Sequence, residues 1–204
     1  MRRRSIILAQ PGGRNWIPGR PDLTRAVNAM IPVGIASLSS WLEEHGISTR
    51  ILDGYVHPEP LGRWVEAIRS AAPDFLGITS TTSSFPDASA LASAVKAASP
   101  GTRTVLGGVH ASALRERVLN DHPEFDFAVA GEGEETLLSI IERDGQDLFD
   151  VPGIVFRERG EPLFTGQRKH SLDLDSLPFP AYDKLQGYPQ EYPLPIFSYP
   201  KAPT

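Results

Sequence analysis

Gly107-Gly108-Val109-His110 and Gly131-Glu132-Gly133-Glu134-Glu135-Thr136 are the segments of this chain best suited to hold a ligand. Each follows a short apolar run and opens a stretch of helical character, so each reads as a turn from a buried strand into a helix. Glycine at such a turn lets backbone pass close under a ligand, and unpaired N–H groups at a helix start attract anionic or carbonyl-rich groups. The chemistry implied is binding rather than bond making. His110 has two readings, a donor to a ligand carbonyl or phosphate and a cap of the following helix. Glu134 and Glu135 are stabilised at a helix start by the macrodipole without any further role. Gly131, Glu132 and Gly133, two glycines bracketing an acid, suggest backbone fitted to something. Acid–base catalysis through Glu132, Glu134 or His110 ranks last, because no nucleophile or metal set accompanies them.

Three further groups belong to the same kind of edge. Thr79-Ser80-Thr81-Thr82-Ser83-Ser84 supplies consecutive hydroxyls that can donate and accept, more than the capping by Ser83 or Ser84 that a helix start requires. Asp53 ends an apolar run before Gly54, a pairing common in turns for backbone reasons alone. Gln10-Pro11-Gly12-Gly13-Arg14-Asn15 closes the first apolar run without the Gly-x-Gly-x-x-Gly spacing, which disfavours a dinucleotide site; no Gly-Lys-Ser or Gly-Lys-Thr supplies a phosphate loop.

These turns need a frame. Ser5 to Ala9, Thr49 to Leu52, Phe75 to Ile78, Thr104 to Leu106 and Phe125 to Ala130 read as five short buried strands. Between and after them, Pro32 to His45, Leu61 to Ala72, Asp87 to Ala98, Leu114 to Leu119 and Glu134 to Arg143 read as helices. Pro32 suits the first turn of the first helix, and Gly46 its end. Short apolar strands alternating with amphipathic helices predict an α/β fold, a doubly wound parallel sheet covered on both faces, with the flavodoxin-like strand order 2-1-3-4-5. Ligands of such sheets bind beyond the carboxyl ends of the strands. Residues 151–204 change character: Gly153 to Arg157 and Pro162 to Thr165 suit a hairpin, and a proline-rich, extended tail follows, docked or mobile. The expected division is a domain over residues 1–150 and a hairpin with linker over 151–204.

With 204 residues the chain can bury a sizeable core without staples. It has no cysteine, which excludes thiolate metal sites and an iron–sulfur cluster held by this chain in the usual way. A net charge of −5 argues against a nucleic-acid partner. The run Ile6-Ile7-Leu8-Ala9 is too short for a signal peptide, and no stretch reaches membrane-spanning length, so a cytoplasmic protein is expected.

Taken together, Pro32-x-Gly34-x-x-x-Leu38-x-x-x-Leu42, Gly107-Gly108-x-His110, Gly131-Glu132-Gly133-Glu134-x-Thr136 and Leu174-Asp175-x-Leu177-Pro178-Phe179-Pro180-Ala181-Tyr182-Asp183 resemble the N-terminal half of cobalamin-dependent radical SAM enzymes. That group includes the B12-binding radical SAM methyltransferases and the anaerobic magnesium-protoporphyrin monomethyl ester cyclases. The resemblance implies a flavodoxin-like, Rossmann-like cobalamin-binding domain. It also implies a radical SAM domain as partner, in cis or as a separate chain, which carries the Cys-x-x-x-Cys-x-x-Cys motif missing here. S-adenosylmethionine and a [4Fe-4S] cluster belong to that partner, and no turnover is expected of this chain alone.

By the same resemblance the cobalamin is base-off with no histidine lower ligand, since Asp-x-His-x-x-Gly is absent from the loop after the first strand. Ser80, Thr81, Thr82, Gly107, Gly108, His110 and Gly131 to Gly133 are expected around the slot for the nucleotide tail, with Asp53 near the same edge. Gln10, Pro11 and Gly12, with the residues after them to Asn15, are expected to approach the corrin. The alternative is a flavodoxin-like interaction or regulatory module that no longer binds cobalamin.

Overall fold

The computed structural model describes residues 3–12, 30–168 and 174–192. Five strands and their crossovers alternate in the expected order. Strand β1 is Ser5–Gln10, followed by helix α1 Val33–Glu44, β2 Ser48–Asp53, α2 Leu61–Ala71, β3 Phe75–Thr79, α3 Phe85–Ala98 and β4 Arg103–Gly107. Two short helices, α4 Val109–Leu114 and α5 Glu116–Asp121, precede β5 Phe127–Val129. Helix α6 Glu134–Glu142 and strands β6 Ile154–Glu158 and β7 Glu161–Phe164 complete the order. The single helix expected over Leu114 to Leu119 is thus two, broken at Arg115, whose φ of 49° no continuous helix accommodates. The kink lets Val118 and Leu119 turn fully into the core.

The sheet order is β2-β1-β3-β4-β5-β6-β7, with the first five strands parallel and the last two antiparallel. The flavodoxin-like order is therefore present, but the sheet has seven strands rather than five. The hairpin β6–β7 pairs with β5 because Ile154, Val155 and Phe156 are apolar in succession and bury on both faces of the extended sheet.

Alternation along each strand divides the core. Ile6 and Leu8 pack with Ile35, Leu42, Val105, Val129 and Leu137 beneath α1 and α6. Ile7 and Ala9 pack with Trp64, Ile78, Phe85, Leu91 and Leu119 beneath α2, α3, α4 and α5. Helix α1 begins after Pro32 and stops at Gly46, whose φ of 80° suits glycine and whose N–H returns to the Glu43 carbonyl. Register places Gln10 beside Asp53 and Thr79 beside Gly107, so the turns singled out from the sequence share one edge.

The proline-rich tail, as far as Tyr192, is docked. Ala181, Leu185 and Tyr192 are buried, and Tyr182 and Tyr188 pack against the α1 side of the core. No helix among the described residues is long and apolar enough to cross a membrane.

If the hairpin is integral to the core, Ile154→Ala should lower unfolding free energy by about 2–5 kcal/mol in urea titration. A pendant hairpin would give a change within about 0.5 kcal/mol.

Candidate functional site

At the carboxyl ends of β1, β3, β4 and β5 the sheet opens, beneath α1 and α6, into a cleft of about 350 Å³. That size lies within the ordinary range of ligand pockets. Its floor is Leu8, Gly77, Val105 and Val129, one residue from each of the four strands. Gly34, Ile35 and Leu38 of α1 form one wall, and Glu134 and Leu137 of α6 the other. Gln10, Thr79, Gly107, Gly108 and Gly131 to Gly133 form the rim.

The rim glycines have different physical reasons. At Gly107 an added Cβ meets nothing within 4 Å, so the residue faces open cleft. Gly108 has a φ of 89°, and a Cβ there would lie 2.6 Å from the Ser80 carbonyl oxygen and 2.8 Å from Thr79 Oγ1. It is glycine because two turns touch, not because a ligand needs the space. Gly131 also has a φ of 89°, with open space around its Cβ position. A Cβ on Gly133 would press on Leu38 Cδ2 at 3.1 Å, which brings α6 down onto α1 at the end of the cleft. Gly77, unremarked in the sequence, keeps the floor low; a Cβ would meet Leu8 Cδ2 at 3.0 Å.

Backbone bonds chain the turns together. Ser80 N–H donates to the Gly107 carbonyl at 3.1 Å, and His110 N–H to the Ser80 carbonyl at 3.3 Å. Ser112 links the two glycine segments, donating from Oγ to the Gly108 carbonyl at 3.0 Å and accepting from Gly131 N–H at 3.0 Å. No local pattern marks Ser112, since its role depends on a partner 19 residues away.

The structure gathers only part of the expected set around this cleft. Gln10, Gly107, Gly108, Gly131, Glu132 and Gly133 line it, and buried Glu134, read from the sequence as stabilised by the helix macrodipole alone, joins them. Glu135 and Thr136 turn away and tie α6 to the hairpin side through Arg168 and the Pro152 carbonyl. Ser80, Thr81 and Thr82 do not line the cleft; Thr79 does. Thr81, Ser83 and Ser84 bond among themselves, with Thr81 Oγ1 2.9 Å from Ser83 Oγ and Thr81 N–H donating to Ser84 Oγ at 3.0 Å, whereas the buried Ser80 hydroxyl has no hydrogen-bond partner among the described residues. Neither Ser83 nor Ser84 caps α3 with its side chain.

His110 also lies off the cleft. It is buried, stacks on Phe85 with ring centroids 4.0 Å apart, and sets Nδ1 3.3 Å from Thr82 Oγ1. Burial, reinforced by nearby His122, lowers its pKa and keeps it neutral. Pro11 is buried beside Gly12, and Gly12 is pinned against Gly54, where its Cβ would stand 2.7 Å from the Gly54 oxygen. Gly13, Arg14 and Asn15 lie outside the described residues.

Asp53 faces a second, more polar cavity of about 480 Å³, shared with Arg50, His57, Arg63 and Tyr192. It accepts from Tyr55 N–H at 2.9 Å and from the Tyr192 hydroxyl at 3.1 Å. Burial outweighs these bonds and raises the Asp53 pKa.

Comparison with known proteins adds to this geometry. A family profile described as the B12 binding domain matches residues 19–141. This chain belongs to the B12-binding domain family. An uncharacterized methyltransferase of Pyrococcus horikoshii is 31% identical to this chain over 157 residues, 76% of this chain and 34% of the relative. An anaerobic magnesium-protoporphyrin IX monomethyl ester cyclase of Cereibacter sphaeroides is 30% identical over 155 residues, 72% of this chain and 25% of the relative.

Among solved structures, the fold matches the cobalamin-dependent S-adenosylmethionine radical enzyme OxsB, with a TM-score of 0.68 and 18% identity over 88% of this chain and 24% of that one. It also matches the radical S-adenosylmethionine methyltransferase TsrM of Kitasatospora setae, with a TM-score of 0.63 and 16% identity over 79% of this chain and 30% of that one. The chain thus spans about a third or less of the length of the curated relatives it matches.

Two outcomes follow from the site. Gly108→Ala should cost at least about 1–3 kcal/mol of stability, whereas Gly107→Ala should stay within about 0.5 kcal/mol of the parent, as chemical denaturation reads directly. Because Asp53 has a raised pKa in the folded state, its contribution is fully present below the unfolded value of about 3.9 and is lost as pH rises through the folded value. Relative to Asp53→Asn, the parent should therefore lose stability as pH increases across that window in pH-dependent urea melts.

Proposed function

We propose that this domain holds a cobalamin with its nucleotide tail in the cleft and its corrin over the carboxyl edge of the sheet, base-off and with no histidine on cobalt. The observation that carries the reading is the opening at Gly107: an apolar slot, floored by four strand ends, into which a larger residue at 107 would project and whose floor a larger residue at 77 would push up against Leu8. The fit is chemical as well as steric. Apolar Leu8, Ile35, Leu38, Val105, Val129 and Leu137 suit a flat aromatic base, which gains about 25 cal/mol for each Å² of apolar surface removed from water. Thr79, Gln10 and the polar backbone of the rim at Gly107, Gly108, Glu132 and Gly133 suit the polar sugar and phosphate. His110 stands off the cleft and stacked on Phe85, which agrees with cobalt lacking a histidine from this chain.

When bound, cobalamin supplies a transferable methyl group or a reactive cobalt centre. The chain's own residues bind it, shield the base from water and leave the corrin open at the sheet edge. The names of the structural neighbours, a cobalamin-dependent S-adenosylmethionine radical enzyme and a radical S-adenosylmethionine methyltransferase, favour a radical SAM domain as the partner that works on substrate; the sequence resemblance implies S-adenosylmethionine and a [4Fe-4S] cluster on that side.

The test is a visible-absorption titration with hydroxocobalamin and methylcobalamin followed by desalting. The parent should retain corrinoid with a base-off spectrum. Gly107→Leu should keep its melting temperature within a few degrees and retain at least about tenfold less, because a leucine there projects into the slot. Failure of the parent to retain any corrinoid would reject the reading in favour of an interaction module.

A further inference from the structure

Helix α1 forms one wall of the cleft; Ile35 and Ala36 of its first turn are buried, but its start carries no side-chain cap. Its N-cap is Pro32, which makes no side-chain capping bond, and Val33 is about half exposed. The helix rides partly over open cleft instead of filled sheet, with Gly34, Ile35 and Leu38 facing the void. The tail adds a second set of attachments to the same helix.

The tail grips α1 near both ends. Ala181 N–H donates to the Ala36 carbonyl at 3.0 Å, in the first turn. Lys184 Nζ pairs with Glu43 in the last turn and also donates to the Thr49 carbonyl and Oγ1 at 3.1 and 3.2 Å, joining α1 to β2. Thr49 Oγ1 lies 2.6 Å from Ser39 Oγ, so the polar network runs under the helix as well as over its end.

The far end of the tail is anchored on β2 and the loop after it. Tyr192 is buried and donates its hydroxyl to Asp53 at 3.1 Å, and His57 Nε2 donates to the Gln186 carbonyl at 2.7 Å. Tyr182, Tyr188 and Tyr192 pack in series, with ring centroids 5.1 and 5.8 Å apart. Residues 181–192 thus tie α1 to β2 by backbone bonds, an ion pair and an aromatic row, with none of their buried members lining the cleft itself.

Taking the cleft as the cobalamin site, we propose that residues 181–192 are a clasp that holds α1 at the spacing the cleft requires, with Lys184 and Tyr192 as its positioning residues. Linkage makes the effect reciprocal: opening the clasp weakens cofactor binding, and bound cofactor tightens the clasp.

The test uses Lys184→Met and Tyr192→Phe, alone and combined, which preserve most of the buried volume. Two readouts are required. Hydroxocobalamin titration should show the double variant binding about tenfold more weakly, a typical coupling between sites. Hydrogen exchange on the cofactor-free chain should show amides of α1 from Ile35 to Leu42 exchanging about tenfold faster, with those of α3, on the opposite face, unchanged. Faster exchange in α1 and α3 together would mean a general loss of stability and overturn the clasp. Either readout without the other, in a parent that binds corrinoid, would also overturn it. A parent that takes up no corrinoid would reject the cobalamin reading, and the contrast in exchange between α1 and α3 would alone decide whether α1 is clasped.

Discussion

The contact of Gly108 with Ser80 is the constraint on which the rim of the cleft depends. Two strand-to-helix turns pass so closely that no Cβ fits between them, and the approach brings Ser80 N–H and the Gly107 carbonyl into a hydrogen bond. From there Ser112 carries the linkage to Gly131, so three consecutive turns form one continuous rim. A rim built from backbone holds its shape without filling the space behind it. That is why the residues behind can be small and apolar, and why the cleft stays open rather than collapsing into the core.

An open cleft removes packing from the middle of a fold. Gly77 and Gly107 supply no side chain where most strands would place a branched one, and the cleft-facing residues of α1 have no opposite partners over part of their surface. Cohesion is found outside the five parallel strands. The hairpin adds Ile154, Val155 and Phe156 to the sheet, and the tail adds Leu185 and Tyr192 to the α1 face. Arg103 and Arg4 meet Asp144 at the amino edge, far from the rim, so the charged fastening and the ligand edge occupy opposite ends of the strands.

Buried polar groups follow the same division. His110, stacked on Phe85 and kept neutral by burial, braces the β3–α3 turn from behind. Asp53, at the carboxyl end of β2, faces the second cavity and accepts from the Tyr192 hydroxyl. Both residues sit where strands end, as binding residues in such folds do, yet both are turned towards the supports of the site.

What the sequence by itself determined is what local pattern can carry. Apolar runs of strand length between helical periods were enough for the five strand–helix pairs and their common edge, because side-chain period depends on neighbours a few residues away. The motif order around Gly107, Gly131 and Leu177 was enough for the family. Only the tertiary structure decided which edge residues face the cleft, because a turn residue's direction is set by what it meets across the fold. Gly107 and Gly108 are adjacent and alike, but one opens on the void and the other on Ser80. Asp53 meets Tyr192 across 139 residues, and Lys184 meets Glu43 across 141. The hairpin's place as strands six and seven was equally hidden, since an antiparallel pair reads the same whether it stands alone or continues a sheet.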